Sequence, residues 1–162
     1  MISIARQSVK KLLGYAIRAE MDANTIYTRM AGRLKNPLLK EKFRVLALEE
    51  RKHKEILRRM FASLYGKEKP EIPKTVDQRL LPAVVIKPSS SLADILGQAM
   101  NGEKSARDFY AALAKRVPEP NKKMLVYLSH VENSHYLMLR SEYTLALQFE
   151  DYAEKDIDKV IT

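Results

Sequence analysis

The chain has 162 residues, of which 46% are hydrophobic and 30% are charged, a composition that excludes a disordered protein and suits one globular domain over 1–162. It has no cysteine, which excludes disulfide bonds and thiol chemistry, and no apolar run of membrane-spanning length. The first residues lack the pattern of a signal peptide. We therefore expect a cytoplasmic protein without a membrane partner.

The formal net charge is +9, which raises the question of a polyanionic partner. The basic residues are spread along every predicted helix, and no basic patch is interleaved with aromatic residues. This distribution favours a solvated basic surface over a dedicated nucleic-acid face. We expect no nucleic-acid partner, and keep a basic DNA-protecting or structural protein, whose metal only stabilises the fold, as the third functional hypothesis.

The first half of the chain predicts two amphipathic helices. The first covers about residues 5–34, with inward positions that alternate at steps of four and three, and Asn36-Pro37 ends it. The second covers about residues 38–65, with Gly66 as its C-terminal stop. Because only a few residues connect them, the two helices form an antiparallel hairpin.

A segment of different character follows at about residues 67–90, with four prolines and no long helical period. The third predicted helix covers about residues 91–117, and it begins with a capping box in which Ser91 is followed by Asp94 in the usual glutamate place. The fourth covers about residues 121–154. These two helices also form a hairpin, since their connection is short.

The connections predict an all-α, four-helix bundle with one long crossover. About 24 extended residues reach roughly 80 Å, whereas a helix of about 28 residues is roughly 42 Å long, so the segment at 67–90 can cross the whole bundle. The alternative is a flexible tether between two separate hairpins. It is weaker, because neither hairpin could bury its apolar face alone.

The two halves of the chain repeat. The Leu-Gly-x-Ala sequence at 13–16 recurs at 96–99, an offset of 83 residues, and after the hairpin loop the offset becomes 82 because the second loop is one residue shorter. The repeated pairs include Glu20 and Glu103, Tyr27 and Tyr110, Glu50 and Glu132, and His53 and His135. This pattern indicates an ancient duplication of a helical hairpin.

Each half contains one Glu-x-x-His sequence, at 50–53 and 132–135, and one earlier glutamate on an apolar helix face. The spacing of three residues puts each Glu and His side by side on one helix face. Counted from the loops, the glutamates and the Glu-x-x-His pairs reach the same height in both hairpins. The predicted metal ligands are therefore Glu20, Glu50, His53, Glu103, Glu132 and His135.

Four carboxylates and two imidazoles at one buried layer require a partner, because buried charges are costly unless they are paired. Two divalent cations would nearly balance the four carboxylates. Oxygen-rich ligands with two histidines suit Fe or Mn, and Zn would bind too. A coincidental polar layer is the weaker interpretation, because the motifs are in register and use two of only three histidines. His130, the third, lies off the inward face.

Three further residues on the inward faces have two interpretations each. Tyr27 and Tyr110 lie seven residues after Glu20 and Glu103; they either pack in the core, or each phenol donates a hydrogen bond to a ligand carboxylate on the opposite helix. Glu142 lies about two turns beyond His135. It is either exposed near the end of the bundle or a carboxylate that supports the metal site.

These residues resemble the rubrerythrin branch of the ferritin-like superfamily over about residues 5–150. The resemblance is carried by Glu20-x6-Tyr27, Glu50-x-x-His53, Glu103-x6-Tyr110 and Glu132-x-x-His135. It implies a ferritin-like bundle with a non-haem site of two Fe ions that reacts with hydrogen peroxide or dioxygen. By the same resemblance, Glu50 and Glu132 would bridge the metals, Glu20 and Glu103 would be terminal carboxylates, and His53 and His135 would be terminal nitrogens.

The chain departs from the rubrerythrin pattern in two ways. Ala106 stands where rubrerythrins usually have a further carboxylate, one associated with redox-linked movement of an iron. No cysteine-based rubredoxin unit lies within these residues, so electrons would come from an external donor such as a rubredoxin-like protein. The hypotheses are thus a di-iron oxidoreductase that reduces peroxide or dioxygen, or alternatively a ferroxidase or iron-handling protein.

The resemblance also implies a homodimer or a larger homo-oligomer. The fourth helix is apolar beyond its inward face, so we expect it to face a second subunit.

Overall fold

The computed structural model describes residues 3–149, which form helices, turns and irregular structure apart from an isolated bridge residue at Leu34. No helix in that range combines the length and the apolar character that a membrane span requires. The helices are a short 3₁₀ helix at Ile4–Arg6, α1 at Val9–Arg33, α2 at Pro37–Tyr65, α3 at Leu92–Ala114 and α4 at Asn121–Gln148. The expected all-α four-helix bundle is confirmed.

The α-helix was expected from residue 5, and this start is wrong. The first residues form the separate 3₁₀ helix instead, and α1 begins at Val9. Ser8 is its N-cap, with an extended backbone and a side chain that accepts a hydrogen bond from the Lys11 N–H. The cap satisfies one N–H that has no partner within the helix. It therefore starts the helix one turn later than the apolar spacing alone predicts.

Helix α3 ends at Ala114, three residues before the predicted end. The N–H groups of Lys115 and Arg116 donate to carbonyls three residues back, the tighter pattern that often closes a helix. Helix α4 ends at Gln148, and residues 150–154 of its predicted range lie outside the described residues.

The other helix ends agree with the sequence. Asn36 caps α2 through hydrogen bonds that its side chain accepts from the N–H groups of Leu38 and Leu39. Gly66 ends α2 with a positive φ of 64°, a conformation that glycine adopts without strain. The capping box of Ser91 and Asp94 is also present at the start of α3.

The bundle consists of two antiparallel hairpins, α1 with α2 and α3 with α4, and residues 67–90 form the crossover between them without helix or strand. The crossover packs on the bundle, since Val76 and Leu81 are only 6% exposed. The core has two apolar clusters. On every helix the candidate metal ligands lie between the residues of one cluster and those of the other, so apolar layers enclose the polar layer on both sides.

Gly14 is the point where the crossover lies closest to α1. A Cβ atom built on Gly14 would lie 2.2 Å from the carbonyl oxygen of Glu71, whereas one built on Gly32 of the same helix would meet nothing within 4 Å. Only glycine fits at Gly14 without a shift of backbone.

We expect Gly14→Ala to lower the free energy of unfolding by about 1–3 kcal/mol, because the methyl group overpacks a backbone contact. The control Gly32→Ala should raise it by about 0.5 kcal/mol, since alanine favours helix more than glycine does. Urea denaturation of both variants measures the difference. Equal stabilisation by the two substitutions would contradict the close packing of the crossover on α1.

Candidate metal centre

All six predicted metal ligands meet at one layer inside the bundle, and none is more than 5% exposed. Their side-chain atoms form two groups in which one ligand atom from each residue lies within 4.8 Å of the others. Glu50 and Glu132 belong to both groups. The groups are Glu20, Glu50, His53 and Glu132, and Glu50, Glu103, Glu132 and His135. This sharing is the arrangement that two ions bridged by two carboxylates would need.

Each imidazole directs its Nδ1 atom to three carboxylates. In the first group, His53 Nδ1 lies 2.8 Å from Glu132 Oε1, 3.3 Å from Glu50 Oε2 and 3.8 Å from Glu20 Oε2. In the second, His135 Nδ1 lies 3.1 Å from both Glu50 Oε1 and Glu132 Oε2 and 3.6 Å from Glu103 Oε2. The two rings are nearly parallel, with centroids 5.7 Å apart. The two groups are thus similar in their inner contacts.

Several buried atoms of this cluster have no hydrogen-bond partner among the described residues. They are Glu50 Oε1, Glu132 Oε1 and His53 Nδ1. His53 Nδ1 and Glu132 Oε1 are close, but they are not aligned for a hydrogen bond. A buried polar atom without a partner costs about 1–3 kcal/mol, so such atoms rarely persist without a function. The oxygen and nitrogen atoms converge on common centres, and they fit two divalent cations as ligands.

The electrostatics of the cluster also favour cations. Burial and the nearby Glu50 carboxylate raise the pKa of Glu20 from 4.5 to about 8. Burial, Glu50 and Glu132 raise the pKa of Glu103 as well. Burial alone would lower the pKa of His53, but the close carboxylates of Glu132, Glu20 and Glu50 favour the charged ring and raise its pKa. Without a cation the site therefore retains protons, and a bound cation would replace them.

Both tyrosines connect the two hairpins at the site. The Tyr27 hydroxyl on α1 donates to Glu103 on α3, and the Tyr110 hydroxyl on α3 donates to Glu20 on α1. Burial and the adjacent carboxylate raise the pKa of each phenol, so both remain protonated donors. These are the hydrogen bonds to carboxylates of the opposite hairpin that one of the two interpretations predicted. Both rings are also packed in the core, and Tyr27 meets Phe43 edge to face at 5.6 Å.

One contact at the site was missed in the sequence. Glu49 on α2 places Oε2 2.5 Å from Nε2 of His135 on α4, on the side of the ring away from the other carboxylates. Its side chain is 38% exposed. The only signal was an acidic residue directly before Glu50, and on a helix such neighbours point in different directions. The spacing within one helix does not reveal a contact to another helix.

A small cavity of about 70 Å³ adjoins the carboxylates, between α1, α3 and the crossover. Small residues face it from the helices, and residues 81–84 line its outer side. The helix residues with short or absent side chains are Ala19, Ala23, Ala99, Gly102 and Ala106. Ala106 is the position where a further carboxylate was expected from the resemblance. Because alanine stands there, the space that a longer side chain would occupy is part of the cavity.

The remaining polar residues singled out from the sequence lie elsewhere. His130 is exposed, as expected. Glu142 forms an ion pair with Lys42 of α2 and its side chain is 13% exposed. The interpretation of Glu142 as an exposed residue is therefore wrong. It belongs to neither candidate metal group, and its role as a carboxylate that supports the metal site stays a prediction.

The fold and the six converging residues define the class: a ferritin-like four-helix bundle with a carboxylate and histidine site for two metal ions. The chain belongs to the rubrerythrin family, whose family model matches residues 11–143. No protein of curated function matches it in sequence.

Solved structures of similar proteins share this fold. A hypothetical protein from Pyrococcus furiosus is 34% identical with a TM-score of 0.80, over 91% of this chain and 95% of that chain. A putative ferritin-like diiron-carboxylate protein from Thermotoga maritima is 22% identical with a TM-score of 0.70, over 85% and 95%. The bacterioferritin of Rhodobacter capsulatus, described with a metal-free dinuclear site and haem iron, is 17% identical with a TM-score of 0.66, over 100% and 99%.

We expect the metal-free protein to become less stable as the pH rises from about 5 to 8. The pKa of Glu20 is about 8 in the folded chain and about 4.5 in the unfolded chain. Between these two pH values the folded state holds a proton that the unfolded state has released, so the free energy of unfolding falls as the pH rises. The raised pKa of His53 acts in the same direction above its ordinary 6.5. Urea denaturation with a chelator present measures the slope.

The variant Glu20→Gln is the control for this slope, because the amide does not titrate. We expect a shallower pH dependence for it than for the natural chain. Stability that rises with pH in the chelated natural protein would contradict the assignment.

Proposed function

We propose that the protein binds two iron ions and reduces hydrogen peroxide, or dioxygen, with electrons from an external donor. The observation that carries the proposal is the pair of overlapping carboxylate and histidine groups, buried beside a small cavity. Family membership supports iron as the metal. Oxygen-rich sites with imidazole also accept Mn or Zn, so the identity of the metal as iron is itself part of the proposal.

The two groups divide the ligands between two positions. Glu20 and His53 would hold one ion, Glu103 and His135 would hold the other, and Glu50 and Glu132 would lie between them. When bound, two Fe(II) ions supply the two electrons that, with two protons, convert hydrogen peroxide into two water molecules. An external donor such as a rubredoxin-like protein then returns the electrons.

The surrounding residues orient the ligands and restrict access. The phenol of Tyr27 holds the Glu103 carboxylate from the opposite hairpin, and Tyr110 holds Glu20 in the same way. Such outer hydrogen bonds fix the orientation of metal ligands. The apolar layers above and below the site keep bulk water out, which strengthens electrostatic interactions inside.

The cavity supports a small oxidant as substrate. Its volume of about 70 Å³ accommodates a molecule of the size of peroxide or dioxygen, since one water needs only about 10–15 Å³ on the same measure. Leu81 and Val84 of the crossover line it and would exclude bulky hydroperoxides.

The alternative function is that of a ferroxidase or iron-handling protein, in which Fe(II) is the substrate. The observation that favours it is Ala106, because the site keeps six ligands and lacks the further carboxylate of typical rubrerythrins. The discriminating property is whether iron stays bound through turnover. Iron that leaves the site after oxidation would support the alternative.

A homodimer or larger assembly is also part of the proposal. Helix α4 carries exposed apolar side chains, which support a subunit contact on this helix. They include Met124, Val126, Tyr127, Leu137 and Leu145, each at least 40% exposed.

We expect protein purified from iron-supplied cells to contain about two Fe per chain, because the residues form two ligand groups. Glu50→Ala and Glu132→Ala should each remove most of the iron, since each carboxylate belongs to both groups. Metal analysis with an optical spectrum measures this. Glu55→Ala is the control; Glu55 lies on α2 like Glu50, and its side chain is 53% exposed. Natural protein without bound metal, and unaffected by the two site substitutions, would overturn the proposal.

We expect Ala106→Leu to fill the cavity and to lower peroxide turnover on the order of tenfold, because the oxidant is displaced from its reactive position. The iron content should stay at that of the natural protein, since Ala106 is not a ligand. The control is Ala111→Leu, an exposed position on the same helix. Turnover is measured as peroxide consumed with a reduced donor. Unchanged turnover in Ala106→Leu would show that the oxidant reaches the site by another route.

A further inference from the structure

The two halves of the site differ in the contacts outside the ligands. On one side, Nε2 of His135 meets Oε2 of Glu49 at 2.5 Å, while its Nδ1 faces the cluster. The ring thus lies between the carboxylates of the site and one carboxylate outside it. A partner of this kind holds the ring in one orientation and makes the inner nitrogen a stronger ligand.

The repeat predicts where the matching partner of His53 would stand. Glu50 recurs as Glu132 at an offset of 82 residues, so Glu49 corresponds to Val131. A valine side chain cannot accept a hydrogen bond. Within residues 3–149, the ion pairs of His53 all involve Nδ1, and no carboxylate is paired with its Nε2. The symmetry of the six ligands therefore does not extend to their outer partners.

Charge adds to this difference. Glu49 is a further carboxylate beside the group that contains Glu103 and His135. Because electrostatic attraction falls with distance, Glu49 attracts a cation at this position more strongly than a cation at the Glu20 and His53 position. Val131, which stands at the matching position in the other half, carries no charge. The contact of Glu49 with His135 and the negative charge of Glu49 both favour a cation at the Glu103 and His135 position.

We propose that the two metal positions are unequal, and that the Glu103 and His135 position fills before the Glu20 and His53 position. The proposal rests on the proposed metal binding and adds the order of loading. Loss of an outer partner typically costs about 10- to 100-fold in metal affinity, which is the difference expected between the two positions. At limiting metal the protein would thus hold one ion, on the His135 side.

Two separate binding steps alone would not test this, because repulsion between two cations separates the steps even in a symmetric site. The test must identify which histidine is occupied first. The chain has three histidines, so selective isotope labelling gives three imidazole signals that can be assigned by substitution. His130 is exposed and lies outside the ligand groups, so it serves as the internal control.

The experiment adds Zn²⁺ to the metal-free full chain and follows the imidazole signals by NMR, with calorimetry for the affinities. At one equivalent of Zn²⁺ we expect the His135 signal to move to its bound position while His53 stays unbound. Glu49→Gln keeps the size of the side chain and removes its charge. It should weaken the first step by about 10- to 100-fold and divide one equivalent between the two histidines. The control Glu55→Gln, at an exposed position on the same helix, should change neither the affinity of the first step nor the order in which the two histidines are occupied.

The gain-of-partner variant makes the test reciprocal. Val131→Glu should strengthen the His53 position and reduce the difference between the steps. In the double variant Glu49→Gln, Val131→Glu the order should reverse, so that His53 is occupied first. Circular dichroism checks that each variant keeps its helices.

The outcomes separate the two proposals. No Zn²⁺ binding to the natural chain would overturn metal binding and this inference together. Two bound ions with equal occupation of both histidines at one equivalent would overturn the inequality and leave metal binding intact. Occupation of His53 first in the natural chain would also overturn it.

Discussion

The structure depends on one constraint: four carboxylates are buried at a single level of an apolar bundle. Each of Glu20, Glu50, Glu103 and Glu132 is at most 4% exposed, and mutual repulsion adds to the cost of burial. Two histidines and two tyrosines surround them, and apolar clusters continue on either side. Such a layer is stable only if protons or cations balance the charge. Metal binding at this layer would therefore be coupled to folding.

The sequence predicted the architecture and the six residues that meet at the buried layer, because both follow from helical periodicity. A spacing of three or four residues sets the face on which Glu50 and His53 lie, and short loops set the height of each helix relative to its neighbour. The start of α1 was wrong, since the Ser8 cap is a local hydrogen bond that the apolar pattern does not report. The contact of Glu49 with His135 was missed for a related reason. It joins two different hairpins, and its distance depends on packing that no single helix encodes.

The crossover is where sequence patterns carried the least information. Its prolines and lack of period excluded a helix, but they did not predict that Val76 and Leu81 would be buried against the bundle. The signals for its position lie in the helices instead. Gly14 has no room for a Cβ atom beside Glu71, and Gly102 comes close to Pro82. Small residues on the helices thus mark the places where the crossover, which has no regular structure, lies closest to the bundle. They also leave the cavity beside Ala106 open.

The crossover has a consequence for how the site could evolve. Two identical hairpins that associated as separate chains would carry every substitution twice, so the residues at 49 and 131 would always match. In one chain, where the segment at 67–90 joins the hairpins, a change in one half does not impose the same change on the other. Covalent linkage thus frees the site from exact twofold symmetry. Glu49 and Val131 can therefore differ while the six buried residues of the site match in pairs.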